Sequence, residues 1–351
     1  MKWKKSVNVL SVSILIILCF NLVGGAESAL PSAHNITNVT QYKQMNGLMC
    51  GDAALETMFN FWGADINQKS IADVARTSSI GTYTWDMVRT GHFSHLSAAN
   101  GSYFPHDAPT AGFPERPMGY ASFSYSNDTF WLSGLEALVA ADIPVVLLMK
   151  YAPTDDAGHY RVIVGYNNTK GEIYFIDPWG RDQKRVTNPD GTVTWTIADF
   201  QNAWNYSEYG TPHPFWGAVM MPWSVKLTTS GEPTAGSTVN VSANITYPCP
   251  QPFNCSTYPA SSAIAKIILP SYMHVKDGSS TIGIGNLVAG SNITVSWKVT
   301  ADADASGSDI TVSAGGQISG AVPQVFWNGN QVSYPAYSYI DEIGGEGKVR
   351  L

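Results

Sequence analysis

The stretch Gly158-His159-Tyr160-Arg161-Val162-Ile163-Val164-Gly165-Tyr166-Asn167, followed by Glu172-Ile173-Tyr174-Phe175-Ile176-Asp177-Pro178, decides the fold class. Both runs are rich in β-branched and aromatic residues, and Asn167-Asn168-Thr169-Lys170-Gly171 between them is turn chemistry, so they read as a hairpin. Residues 144–150 form a third run of the same kind, and the three together predict an antiparallel sheet. Upstream the texture differs. Ala54, Leu55, Met58, Phe59 and Trp62 recur at helical spacing, so Cys50 opens a helix. Residues 68–77 and 131–141 predict two further helices, the second stopped before Pro144. Residues 91–126 are dense in Gly, Pro, Ser and His and read as long loops. Past the hairpin, Asp190-Gly191 marks another turn, 197–204 a short helix and 216–221 a closing strand. Helices ahead of an antiparallel sheet make an α+β domain over 41–222.

From about Trp223 the helical period disappears. Short alternating runs at 238–246, 263–269, 291–300 and 308–314 fit an all-β, immunoglobulin-like sandwich over 223–351. Gly283-x-Gly285 falls in this strand-rich part without a following helix, so its glycines read as turn residues rather than a phosphate loop.

The first residues carry Lys2, Lys4 and Lys5, then an apolar run reaches Val23 and ends in Gly24-Gly25-Ala26. That pattern is a secretory signal over 1–26, cleaved after Ala26 and too short to span a membrane comfortably. A polar leader, 27–40, follows. Cleavage removes three Lys and no acid, so the net charge of −7 becomes −10. Such a chain has no basic surface to release counterions from nucleic acid, which excludes DNA and RNA as partners. Ten Asn-x-Ser/Thr sequons agree with an exported glycoprotein.

Of the four Cys, Cys19 leaves with the signal. Cys249 and Cys255 bracket a short Pro-containing turn and read as a disulfide of an oxidising compartment. Cys50 is left over, and an odd thiol in an exported chain is either buried and inert or does chemistry. At a helix start, the unpaired N–H groups and the macrodipole favour a thiolate. His159 opens a strand and Asp177 ends the next, so the carboxylate can accept the imidazole N–H and hold its tautomer. Gln44, six residues before Cys50, is placed to donate to an oxyanion together with the Cys50 backbone N–H. Trp179 is close enough to Asp177 to line a substrate cleft. The loop residues His92, His95, His106 and Asp107 match no strong metal spacing, and the site needs no cofactor. No Gly-x-Ser-x-Gly elbow supports a serine hydrolase.

Gln44-x5-Cys50-Gly51-x-Ala53, Gly158-His159 and Asp177-Pro178 resemble the papain-like cysteine peptidases of the bacteriocin-leader-processing type, the C-thirty-nine-like group. The resemblance covers about 40–223. It implies an α+β papain-like fold with Cys50, His159, Asp177 and Gln44 as the catalytic set, and residues 135–146 resemble the helix and strand ahead of the family's His. Two departures stand out. Asp52 occupies the position where the family usually has Pro, and a carboxylate there should raise the Cys50 pKa. The chain also carries neither a transporter nor a nucleotide-binding loop, so the family's leader-peptide substrate does not transfer. The expected activity is that of a secreted cysteine peptidase or amidohydrolase acting on a peptide or protein, with the sandwich contacting a surface or polymer. The competing readings are a non-catalytic binding or surface-structural protein on the same scaffold, and a transpeptidase that passes the acyl group to an amine.

Overall fold

In the computed structural model the described residues are 29–94, 97, 113, 116, 118–179, 192–208, 214–327 and 332–351. The signal, the Asp190-Gly191 turn, His95, His106 and Asp107 lie outside them.

Helix α1, Cys50–Phe61, turns one apolar stripe inward: Ala54, Leu55, Met58 and Phe59 are fully buried. They meet Tyr160, Val162 and Val164 of strand β4, Gly158–Asn167. Two more helices share that face, α2 (Gln68–Val74) and α3 (Thr84–His92), through Ile71, Val74, Met87 and Val88. The opposite face of the sheet is covered by α4 (Leu132–Ala140) and α5 (Ile197–Trp204), which bury Leu135, Leu138, Phe200 and Trp204. The sheet itself consists of β1 (Ala33–Asn35), β2 (Ala121–Tyr125), β3 (Val145–Lys150), β4, β5 (Glu172–Ile176), β6 (Thr192–Thr196) and β7 (Gly217–Met221). Its order is β2-β7-β3-β4-β5-β6, antiparallel throughout, with β1 on the far end of β4. Strand β3 shows the period of two, Val145, Leu147 and Met149 facing α4 and α5 while Val146 and Leu148 face α1.

Three sequence expectations change here. β2 lies inside the stretch read as long loops, and α3 runs into its beginning. α2 ends at Val74 rather than 77, where Arg76 takes a left-handed φ of 49°. The supposed leader is part of the sheet: β1 pairs with Gly165–Asn167, and Ile36 donates its N–H to the Val164 carbonyl at 2.8 Å.

The second part holds two four-stranded antiparallel sheets. One is β12 (Thr281–Leu287), β10 (Ala260–Ile268), β14 (Asp309–Val322) and β17 (Tyr337–Arg350). The other is β11 (Met273–Val275), β13 (Asn292–Ala301), β9 (Thr238–Thr246) and β8 (Ser224–Ser230). Between β14 and β17 the chain makes a small hairpin of β15 (Val325–Trp327) and β16 (Val332–Tyr334). Alternate residues of both sheets, such as Val239, Val241, Ile310 and Val312, enter the same apolar cluster as α4 and α5. Residues 31–351 are therefore one compact unit. Gly119 exchanges hydrogen bonds with β17, donating to the Glu342 carbonyl at 2.6 Å and accepting from the Gly344 N–H at 3.0 Å. At Gly345 a Cβ would come within 2.0 Å of the Trp223 carbonyl oxygen, so only glycine lets β17 lie against the start of β8. Cys249 and Cys255 are joined, and their loop sets Phe253 edge-on to Trp131 and Pro252 against Gly134.

Candidate active site

Four segments converge at the start of β4. The β4–β5 ladder ends at Val162–Ile176, so the chain leaves β5 beside residues 159–161 and delivers Asp177 there. His159 and Arg161 share one face of β4 by the two-residue repeat, and the carboxylate sits between them. His159 Nε2 lies 2.9 Å from Asp177 Oδ1, and Arg161 donates its Nε–H to Oδ2 at 2.8 Å. Trp179 donates its backbone N–H to Oδ1 at 2.8 Å, a turn that closes directly after Pro178. With Nε2 engaged, Nδ1 is the ring nitrogen left for a reaction partner.

The sulfur comes from the other side of the strand. Beyond Val162 the Tyr160 N–H has no partner on β5, and it donates to the Cys50 sulfur, as does the Gly51 N–H. The nucleophile candidate is thus held by the amide one residue after His159. Gly51 belongs to the same construction: a Cβ there would stand 3.0 Å from Met87 Sδ and 3.2 Å from Thr82 Cβ and Oγ1. The segment 41–49 threads alongside. Gln41 Nε2 donates to the Asp177 carbonyl and the Gln44 N–H to the Pro178 carbonyl, both at 2.8 Å. Gln44 is therefore brought to the site by its backbone, while its side-chain amide donates to the Asn46 carbonyl at 2.6 Å. Its Oε1 is buried without a hydrogen-bond partner.

The electrostatics keep the resting site uncharged at its sulfur. Burial pushes the Cys50 thiol up to about 11; the Tyr160 and Gly51 amides oppose this, and the Asp52 and Asp177 carboxylates add to it. The helix start thus fails to lower this thiol, because desolvation outweighs two amide donors. Burial and the Arg161 cation push the His159 imidazole below its ordinary value against the pull of Asp177. Asp177 is itself penalised by burial, yet Arg161, His159 and the Trp179 amide hold its carboxyl below the usual carboxylate range. Asp52 does not cap α1. It is buried, its Oδ1 accepts from the Thr77 hydroxyl at 2.8 Å, and burial raises its pKa to about 8.

Over residues 36–211, half of the chain, the sequence matches the Peptidase_C39 like family. The chain belongs to that family. It is a cysteine-type peptidase. This Peptidase_C39-like chain also resembles two solved structures. One is the peptidase domain of Streptococcus ComA, a bifunctional ABC transporter involved in a quorum-sensing pathway. That likeness has 14% identity and a TM-score of 0.33, over 53% of this chain and 99% of that one. The other is xylellain, a cysteine protease from Xylella fastidiosa, with 13% identity and a TM-score of 0.38 over 55% and 87%. A comparison with curated proteins finds no match.

Arg161 is the site residue that sequence reasoning passed over. It is buried, its NH1 and NH2 donate to the Lys150 and Tyr151 carbonyls at 3.0 and 2.7 Å, and its guanidinium lies 4.8 Å from the Trp195 ring centroid. The signal was present: a single charge inside an apolar strand must find a partner. Of the histidines read as loop residues, His92 instead ends α3; it is fully buried with Nδ1 3.3 Å from the Tyr339 hydroxyl, and burial and Arg89 push its pKa down to about 3. Among the described residues no cluster could hold a metal ion. No helix among them is long and apolar enough to cross a membrane.

Proposed function

We propose that this peptidase hydrolyses a peptide or amide bond with Cys50 as nucleophile, His159 as general base and acid, and Asp177 as the group that orients the imidazole. The observation that carries the reading is the 2.9 Å His159–Asp177 contact on a strand whose next amide holds the Cys50 sulfur. With thiol and imidazole both neutral at rest, substrate attack and proton transfer are coupled. The sulfur bonds to the carbonyl carbon as its proton passes to His159 Nδ1, and the carbonyl π pair moves onto oxygen. First-turn N–H groups of α1 and the Gln44 amide, released from Asn46, donate to that oxyanion. Collapse breaks the C–N bond and His159 gives its proton to the leaving amine. Water, deprotonated by His159, then displaces the thiolate from the thioester, which regains its proton. Trp179, half-buried beside this turn, lines the cleft.

We place the enzyme outside the cell, on the Lys2-Lys4-Lys5 start with its apolar run and on the Cys249–Cys255 disulfide. The two β-sheets of 223–351 are read as an immunoglobulin-like sandwich. One observation favours a second reading, a scaffold without turnover: the thiol is raised to about 11 with the Asp52 carboxyl nearby. Digestion of a peptide library by wild type and by Cys50→Ala decides between them. Cleavage that Cys50→Ala abolishes is the expected result. A wild-type chain that cleaves nothing and labels at Cys50 no faster than a free thiol, with His159→Ala unchanged, establishes the scaffold.

A further inference from the structure

A cavity of about 300 Å³ opens on the α1 face of the sheet. Its walls are Trp85, Trp216 and Leu148, and its polar atoms come from Ser124, Ser126 and Glu208. Leu148 is the β3 partner of Tyr160, whose ring stands edge-on to Trp216 at 5.9 Å and whose amide holds Cys50. Tyr206 stands against the start of β4, where a Cβ on Gly158 would fall 2.7 Å from its hydroxyl. Tyr160 and Tyr206 each lie within electrostatic reach of both Cys50 and Glu208, so sulfur and carboxylate share one neighbourhood. Glu208 is fixed in place: it accepts from the Thr84 N–H at 3.1 Å and the Thr84 hydroxyl at 2.8 Å, at the start of α3. Trp85, Ser124, Ser126 and Glu208 are half-buried, which leaves the cavity reachable from solvent.

We infer that this cavity is a substrate subsite for a long cationic side chain, lysine or arginine, carried close to the scissile bond. Leu148 and the tryptophan walls suit an alkyl stem and offer ring faces to a cation. Two hydroxyls and a carboxylate at the polar end accept its N–H groups. An acidic substrate side chain would instead meet a like charge, and a short apolar one would leave the polar atoms without partners. The volume fits one side chain and is small for a whole drug-sized ligand.

The inference rests on Cys50 being the nucleophile, and the test separates the two. Tripeptidyl electrophiles carrying one Arg at each position in turn are compared with twins in which uncharged citrulline replaces it, by the rate of covalent labelling at Cys50. For one position we expect the Arg compound to react at least about 10-fold faster, a difference of about 1.4 kcal/mol. Glu208→Gln keeps an acceptor for Thr84 and should bring the pair within about twofold, the Arg rate falling toward the citrulline rate. Fast labelling that is equal for every wild-type pair overturns the subsite and leaves the nucleophile standing. Labelling no faster than a free thiol overturns both. Should Glu208→Gln fail to fold, the wild-type Arg/citrulline ratios decide alone, with Ser126→Ala as a second variant expected to cut the Arg preference severalfold.

Discussion

Arg161 donates its Nε–H to Asp177 Oδ2 at 2.8 Å, and both side chains are buried. The remaining guanidinium nitrogens tie down the carbonyls of Lys150 and Tyr151, so the same residue braces the β3–β4 connection and the carboxylate behind His159. Arg161→Met should cost about 3–5 kcal/mol of stability, since it strands a buried carboxylate. Arg161→Lys should recover only part, because an ammonium cannot reproduce the fork. A purely structural residue would leave the pH profile alone. Burial and then Arg161 lower the His159 pKa, so removing the cation in Arg161→Met should move the acidic limb of kcat/KM to higher pH, while Arg161→Lys, which keeps a positive charge, should move it less. An unshifted limb in an active Arg161→Met variant rules out the positioning role.

Asp52 stores a pH dependence of opposite sense to that of Asp177. Its folded pKa, raised by burial to about 8 against 3.8, means the native state holds a proton that the unfolded chain releases. Stability is then fully present below the unfolded value and falls as pH rises toward 8. Asp52→Asn keeps the acceptor for Thr77 and removes that loss. Its urea midpoints should match wild type near pH 4 and exceed it increasingly up to about pH 8, by at most about 1.4 kcal/mol per pH unit. A pH-independent difference would refute this. The same variant should lower the Cys50 pKa, read as faster thiol labelling above pH 8, since Asp52 is one of the charges that raise it.

What the sequence disclosed and withheld follows from how its signals arise. α1 and α5 were legible because their apolar residues recur at helical spacing, and β9 was predicted over 238–246, the span it occupies. The His159–Asp177 contact was legible because a hairpin fixes which strand ends meet. α3 was hidden because it buries Asp86 and Arg89, charges that break the apolar pattern, and their partners lie elsewhere: Arg76 on Asp86, Asp341 on Arg89. β2 was hidden because Ser122 packs where a larger apolar residue would announce a strand, with Gly91 so close that a Cβ would meet Ser122 Oγ at 1.9 Å. The raised thiol pKa was out of reach, since desolvation depends on packing that no local stretch encodes.

The buried pairing of Arg89 with Asp341, 3.2 Å apart, joins α3 to β17, and Ser97 donates its hydroxyl to the same carboxylate at 2.6 Å. Arg76 adds donations to the carbonyls of Pro323 and Pro335. The two β-sheets after Trp223 thus share buried ion pairs and hydrogen bonds with the helices of the peptidase part, within one compact unit. One cooperative unfolding transition should report both parts, followed by tryptophan fluorescence and by far-ultraviolet circular dichroism. Asp341→Ala should lower it by about 3–5 kcal/mol, because a buried guanidinium loses its carboxylate. Two separated transitions in wild type would show independent domains.

Gly51 tests whether the Cys-Gly pair is a packing requirement or a motif without mechanical content. Its missing Cβ leaves room for Met87 Sδ and for Thr82, whose hydroxyl lies 2.7 Å from that of Thr77 and whose carbonyl accepts from Tyr160 at 2.8 Å. The methionine can move; Thr82, bound on both sides, resists. In Gly51→Ala the first turn of α1 must therefore lift from the Thr82 side, carrying the sulfur away from the Tyr160 amide. Overpacking of this kind costs about 1–3 kcal/mol, and Cys50 labelling should change with it. Combining Gly51→Ala with Met87→Ala separates the two neighbours. If the thioether is the obstacle, the double variant regains wild-type labelling. If Thr82 is, labelling stays altered while the stability loss grows by the cavity that Met87→Ala opens. Wild-type labelling and stability in the single variant would deny Gly51 any part in placing the nucleophile.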